Sequence, residues 1–498
     1  MKTKPMNHQK VALKRLEGRE SYALFMEQGT GKTWVLLADA ERLYAEGRIE
    51  GLFVVAPKGV HTNWVNREIP THMTGNIVAR AWRKGSAKAQ RQVEDLFKPR
   101  EEGSTIPLRV FSINYEALLT KDGWEAARRF LHCVRGVMGV VDESQRIKNP
   151  TAKRTLQLMR LRPLMNYARI ASGTPINQSP VDAFSQMEFL ESGLLGTTSY
   201  RAFVAEYSEL LPPTSKLIIE IAKRNPKAMH AQIVAKDSHG RPKWRNIDKL
   251  QALLAPHSYR VLKRDCLDLP EKIYKVHPFE LTQRQRAIYD RLHKELRIVI
   301  EDVDHPVQRL AAIMKLQQLT SGFVMPPGQP GAEPVYVVEK NARLEAFVDL
   351  LDDVDGQFIV WARFREELAA IERALSKLKI TSVSYHGGVS AAAREVAVDD
   401  FQSGRARVFI GQAQAGGAGL TLTAAETVIY YSNDFNRETR AQSEDRAHRI
   451  GTKSNVLYID LVAEGTIDEH IAEALQSKSD LAAEILGDAR PRKERIIP

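Results

Sequence analysis

The stretch YALFMEQGTGKTWVLLADAERLYAE, residues 22–46, joins a short apolar run to a helical pattern through a glycine-rich turn. A phosphate-binding loop requires this context: a strand, a loop whose N–H groups meet phosphate charge, and a helix N-terminus. Tyr22–Met26 reads as the strand and Thr33–Glu46 as the helix. Gln28, Gly29, Thr30 and Gly31 are the loop's candidate phosphate contacts, the glycines allowing the backbone to come close. Lys32 would bridge the β- and γ-phosphates of ATP, and Thr33 would ligate Mg2+. The strict G-x-x-x-x-G-K-T pattern fails at Met26, where its first glycine belongs. Alone, such a loop also fits a plain strand–helix turn or a small-molecule kinase.

Downstream segments supply what the loop lacks. The apolar run Gly136–Val141 leads straight into Asp142–Glu143, 110 residues after Lys32. An acidic pair leaving a buried strand is costly unless it has a task. Asp142 would hold magnesium through water, and Glu143 would orient and deprotonate the attacking water. Ser172-Gly173-Thr174 follows another apolar run, and its small hydroxyl residues could sense nucleotide state near Glu143. Farther on, QSEDRAHRIG begins at Gln442 and sets Arg446 and Arg449 three apart, one helical face. As arginine fingers such residues are worth about 10³–10⁵ in rate, or ~4–7 kcal/mol. Arg446 lies 304 residues beyond Asp142, so this reading needs ATP between two lobes that close on nucleotide.

Two stretches alternate short apolar β-branched runs with helical patterns, as parallel α/β layers do. The first predicts strands at Tyr22–Met26, Gly51–Ala56, Leu108–Ile113, Val137–Val141 and Tyr167–Ala171. The second predicts them at Gln357–Ala362, Ile380–Tyr385, Ala406–Gly411, Thr427–Tyr431 and Val456–Val462. Between them, roughly residues 185 to 330 turn helical, as in Gln283–Val303 and Pro306–Leu319. There Lys216–Lys249 carries nine Lys/Arg against three Asp/Glu. A solvated face and a DNA-phosphate surface are both open readings of that run.

Composition sets the outer bounds. At roughly 150 residues per domain, 498 residues suggest about three units and allow two large ones. An apolar share of 43% argues against wholesale disorder, and no apolar run approaches the ~20 residues of a membrane span. The opening MKTKPMNHQKVALKRLEGRE lacks a signal peptide's apolar stretch. Cys133 and Cys266 cannot build a disulfide framework, so a reduced, soluble, cytosolic or nuclear protein is expected. The net charge of +11 favours a polyanionic partner such as nucleic acid.

Taken in order, these elements resemble the superfamily 2 helicases, and the finer wording looks like their Swi/Snf branch of double-stranded DNA translocases. The likeness runs from about residue 4 to residue 475. PMNHQ resembles the family's adenine-reading segment and nominates Gln9, while PKGVHTNWVNRE (Pro57–Glu68) is similar to its DNA-tracking segment. DESQRIKN, SGTPINQ and YRVLKRDCLDLPEK (Tyr259–Lys272) follow as the second motif, the third motif and the linker between lobes. FIVWARF, YHGGVSAAAREVAVDDF, AGGAGLTLTAAE and NDFNRETRAQSEDRAHRIG carry the second lobe. The chain departs from the family's usual wording at Gln145 (His), Ser432 (Asp), Phe435 (Trp) and Arg437 (Pro), and Met26 stands where an acidic residue usually precedes Glu27.

The resemblance implies an α/β fold of two tandem RecA-like lobes, each a parallel sheet flanked by helices, with helical protrusions between them. The expected boundaries are 1–184 for the ATP-binding lobe, 185–262 for a basic protrusion and 263–281 for the linker. A second protrusion would span 282–325, the second lobe 326–475, and a C-terminal helix and tail 476–498. Gly417, Gly419 and Gln442 would join Gln9 at the nucleotide, with Gln145, Ser172, Gly173 and Thr174 as coupling residues. DNA would meet Lys58, Asn63, Trp64, Asn114 and Tyr115 on one lobe, and His386, Gly387 and Thr421 on the other. Lys243, Arg245 and Lys249 would add protrusion contacts, mostly to phosphate. The expectation is an ATP- and Mg2+-dependent motor that translocates on double-stranded DNA and remodels DNA or protein–DNA complexes. A strand-separating helicase on single-stranded DNA or RNA is the alternative, as is an ATP-gated clamp that recruits partners without moving. A compact monomer of bacterial or phage type is expected, in the bacterial or infected-host cytoplasm near the nucleoid and away from membranes.

Overall fold

The computed structural model describes residues 1–83, 93–97, 106–215, 218–219, 232–237, 242–301, 306–326, 333–414, 420–486 and 488. Gly417, Gly419, the tail ARPRK and much of Lys216–Lys249 lie outside these described residues. The chain divides into two compact units. Met1–Asp268 and the end of the last helix from Leu481 form the first; Leu269–Asp480 forms the second.

The first unit is built on seven strands: β1 (Ser21–Met26), β2 (Gly51–Ala56), β3 (Ile77–Ala81), β4 (Leu108–Asn114), β5 (Val137–Asp142), β6 (Tyr167–Ala171) and β7 (Ser258–Val261). They pair in the order β3-β4-β2-β5-β6-β1-β7, and every pairing is parallel. Central strands such as GLFVVA are buried along their whole length, since helices cover both faces of a parallel sheet. On one face Phe53, Phe111 and Phe130 meet with ring centroids 5.6–6.2 Å apart. Burying each such ring stabilises by roughly 1.5–3 kcal/mol.

The second unit carries β8 (Lys272–Phe279), the short antiparallel pair β9 (Phe323–Val324) and β10 (Val335–Tyr336), then β11 (Phe358–Trp361), β12 (Ser382–Tyr385), β13 (Val408–Gly411), β14 (Thr427–Tyr430) and β15 (Val456–Ala463). Its six-stranded sheet runs β12-β13-β11-β14-β15-β8, again with parallel pairings. Both sheets therefore have the expected character.

Three expectations change. Ser258–Val261, placed with the basic protrusion, is a strand beside β1, its register Ala23↔Ser258 through Met26↔Val261. Much of the expected linker is β8, held against β15 along eight residues. The protrusion is also not purely helical. Besides the helices Tyr200–Tyr207 and Ile247–Leu254, it has antiparallel bridges Ser208↔Trp244, Leu210↔Val234 and Lys236↔Pro242.

Candidate active site

The strand order β5-β6-β1 sets three motifs side by side, the Lys32 loop, Asp142–Glu143 and Ser172–Thr174, that lie up to 142 residues apart in the chain (Lys32 to Thr174). In open α/β sheets the carboxyl ends of the strands are where ligands bind. β1 ends at Met26 and feeds the loop Glu27–Gly31, after which the helix Lys32–Ala45 begins. Gly31 caps that helix at φ +82°, and a Cβ there would stand 2.1 Å from Gln9 Nε2. Gln9 Nε2 in turn donates to the Thr30 carbonyl at 3.3 Å, so this residue does lie against the loop. Thr30 Oγ1 bonds the Glu27 carbonyl at 2.7 Å, and Gln28 packs beneath Gly173. Gly29 is exposed and Thr33 half-buried in the first helical turn. Lys32 is folded back, its Nζ donating to the Met26 carbonyl at 2.9 Å and that of Glu27 at 3.3 Å.

Asp142 ends β5 almost completely buried. Its Oδ2 accepts from Trp64 Nε1 at 3.0 Å and its Oδ1 from the Glu143 N–H at 3.1 Å. Burial and the adjacent Glu143 charge raise the Asp142 carboxyl to about 6, against the pull of the Trp64 bond and the Lys32 charge. Glu143 then turns out of the strand at φ +55°, a left-handed conformation that costs a non-glycine residue of order 1 kcal/mol. Its carboxylate accepts from Gln145 Nε2 at 2.8 Å. Gln145 Oε1 accepts from Ser172 Oγ at 2.6 Å, and Ser172 Oγ from the Thr174 N–H at 3.0 Å. The coupling residues thus form a chain of hydrogen bonds starting at Glu143. Gly173 belongs to it by position: a Cβ there would press within 3.2 Å of the Gln28 nitrogen.

Among the described residues no three His, Cys, Asp or Glu side chains converge to hold a metal alone. A hydroxyl and one carboxylate, Thr33 and Asp142, suit magnesium, which takes its other ligands from water and phosphate.

Two expected DNA contacts are corrected. Trp64 is buried, its indole spent on Asp142, and Tyr115 is buried with its hydroxyl donating to the Asp142 carbonyl at 2.6 Å. Each turns inward because a ring with one polar atom buries well once that atom has a partner. Asn114 Oδ1 accepts from the Ala117 N–H, capping the turn after β4. Lys58 is exposed and Asn63 half-exposed. In the protrusion Lys243 pairs with Glu209 at 3.1 Å and Lys249 with Glu206 at 2.8 Å, while Arg245 Nε donates to the Glu206 carbonyl.

In the second unit the helix Arg437–Ala447 carries Arg446 in its last turn. Arg449 falls past the helix end, contrary to the single-face expectation, and its Nη1 donates to Thr421 Oγ1 at 2.8 Å. Gln442 Nε2 bonds Glu438 at 3.0 Å. His386 Nδ1 accepts from the Gly388 N–H, and Gly387 is exposed. The wording departures have local accommodations. Ser432 Oγ donates to Glu367 Oε2 at 2.6 Å, where an aspartate would set two carboxylates together. Asn436 caps the helix from its side chain, so Arg437 replaces a proline at the first helical position without leaving the end open. Phe435 is partly buried and its carbonyl accepts from Lys478 Nζ at 2.8 Å.

Sequence reasoning missed two contributors. Lys263 donates its backbone N–H to Glu27 Oε2 at 2.7 Å, and Arg260 reaches the carbonyls of Phe25 and Gly173 at 3.2 Å. Both follow from β7, whose short YRV pattern was the available signal. A cavity of about 600 Å³ lined by Glu20, Ser21, Arg162, Phe184 and Glu188 opens at the start of β1, the opposite end from Lys32.

The Helicase conserved C-terminal domain family matches residues 339–451. Among relatives, the "Putative ATP-dependent helicase/translocase YwqA" of Bacillus subtilis is 26% identical over 477 residues, 92% of this chain and 46% of its own. The TATA-binding protein-associated factor mot1 of Aspergillus fumigatus is 27% identical over 391 residues, 70% of this chain and 20% of its own. The chain thus spans less than half the length of these relatives. The solved Sulfolobus solfataricus SWI2/SNF2 ATPase core in complex with dsDNA aligns over 98% of this chain and 94% of its own at 22% identity. Its TM-score of 0.39 is too low to bear on function. The SNF2-related domain matches residues 8–322, more than half of the chain, and the chain belongs to that family.

Proposed function

We propose that the protein is a DNA-dependent ATPase that moves along double-stranded DNA. The observation that carries this reading is the bond from Glu143 through Gln145 to Ser172, set beside the Lys32 loop. It ties a general-base candidate to a neighbouring motif, as a motor needs if hydrolysis is to be felt elsewhere. Lys32 leaves the Met26 and Glu27 carbonyls for the β- and γ-phosphates, and Gln9 steadies the loop. Thr33 and Asp142 would hold Mg2+, which screens the phosphate charge when bound. Glu143 orients the attacking water and takes its proton. Arg446 and Arg449 offset charge that develops on the γ-phosphate.

Duplex DNA should raise ATP turnover at least about tenfold, and added salt should remove the stimulation steeply because the contacts are to phosphate. Displacement of a DNA triplex by the purified protein measures movement. Stimulation without displacement would favour a clamp, and stronger stimulation by single strands or RNA a strand-separating helicase. Equal turnover with and without nucleic acid would overturn the reading.

A further inference from the structure

The segment Val60–His72 is one helical run interrupted by a wider π turn at Trp64–Glu68. Such bulges recur at functional sites, because they re-aim a side chain. Here the side chain that begins the bulge is Trp64, and its indole N–H is committed to Asp142 Oδ2. Lys58 and Asn63 lie just before it, toward solvent. A second segment repeats the arrangement: Asn114 ends β4, and the next residue, Tyr115, bonds the Asp142 carbonyl. Two segments with outward polar residues therefore each send one buried donor to the same aspartate. Trp64 thus holds Oδ2 and the Glu143 N–H holds Oδ1, while Tyr115 holds the backbone carbonyl of the same residue.

We propose that Trp64, assisted by Tyr115, is the positioning residue through which DNA bound along Pro57–Glu68 acts on the ATP site. A small displacement of the helical run turns the Asp142 carboxylate, and with it the metal-binding geometry beside Glu143. Trp64 never touches DNA in this account. The inference rests on the proposed function, since it presumes that DNA and ATP are both ligands.

Trp64→Phe keeps the buried ring and deletes the donor; Tyr115→Phe deletes only a hydroxyl and is the variant least able to disturb folding. Three quantities are measured for each: duplex affinity by fluorescence anisotropy, the Mg2+ concentration giving half-maximal binding of a fluorescent ATP analogue, and the ratio of DNA-stimulated to unstimulated ATPase. The expected result is duplex affinity within about twofold of the parent, a Mg2+ midpoint raised several-fold, and a stimulation ratio cut about tenfold by Trp64→Phe and less by Tyr115→Phe. Should Trp64→Phe fail to fold, Tyr115→Phe decides alone by a lowered ratio at unchanged affinity. Parent-like ratios in the folded variants overturn the inference while leaving the motor reading intact. A loss of duplex affinity that accounts for the lost stimulation also overturns it, returning Trp64 to the DNA surface. An unmodified protein that DNA does not stimulate removes the motor reading and this coupling together.

Discussion

In the first unit Glu143 is oriented by neutral groups: the Gln145 amide, the Ser172 hydroxyl and the Thr174 N–H. In the second, the helix that presents Arg446 is anchored by charge. Arg440 pairs with Asp460 and with Glu444 at 2.7 Å, its guanidinium 3.5 Å from the Tyr430 ring centre, and Glu444 reaches Lys272 at 3.0 Å. The neutral bonds of this chain net only about 0.5–1.5 kcal/mol each, and the one to the Glu143 carboxylate about 1.5–3 kcal/mol, so such a chain can be remade during a cycle. A buried ionic network cannot, because any unpaired member carries a heavy desolvation cost. The contrast is one of bonding: the chain at Glu143 can be remade, and the network around Arg440 is fixed.

The largest effect should come from the head of the neutral chain. Glu143→Gln keeps an acceptor for Gln145 Nε2 but removes the base, so turnover should fall about 10²–10⁴-fold. Binding of a fluorescent ATP analogue should persist. Retained turnover would take Glu143 out of its role.

The charged anchor should answer in stability instead. Arg440→Met strands Asp460 and should destabilise the second unit by about 3–5 kcal/mol, seen in thermal melting by circular dichroism. Burial would raise the Glu444 carboxyl, but Lys272 and Arg440 beside it hold it down to about 2. A carboxyl depressed from its ordinary 4.5 contributes stability above that value and loses it as the pH falls toward about 2. Melting temperature should therefore drop through that window, and less so in Glu444→Gln. Identical acid profiles would mean that the anchor is not ionic.

How much of this could be read from the chain divides along the same physical line. Central strands such as Gly51–Ala56 and Val137–Val141 were legible because burial on both faces forces continuous apolar runs. In the two parallel sheets the unexpected strands β3, β7 and β8 are all edges, with half-exposed patterns such as KIYKVHPF that allow lysine and proline. In the site, local wording carries the loop, the acidic pair and the third motif, and the strand order β5-β6-β1 sets them side by side. The inward turn of Trp64 and Tyr115 is not legible, because nothing in NWVNRE or INYE reveals that a partner for each ring's polar atom waits on Asp142.

The smallest effect tests whether the basic protrusion belongs to either class. Lys243, Arg245 and Lys249 are exposed, but the two lysines already sit on Glu209 and Glu206, and Arg245 bonds backbone carbonyls. Three cations against two carboxylates leave one net charge to offer DNA. Exposed pairs of this kind contribute little to stability, so replacing all three cations by alanine should leave folding nearly unchanged. If all three gripped phosphate, the slope of log affinity against log salt would change by about 2.7; with one net charge it should change by about 0.9. A salt titration of duplex binding by the triple variant separates these values. The smaller change makes the patch a mostly self-neutralised face, held together as the second unit's anchor is, but in water where such bonds are weak. The larger one would show that DNA outcompetes Glu206 and Glu209, and that the protrusion grips the duplex.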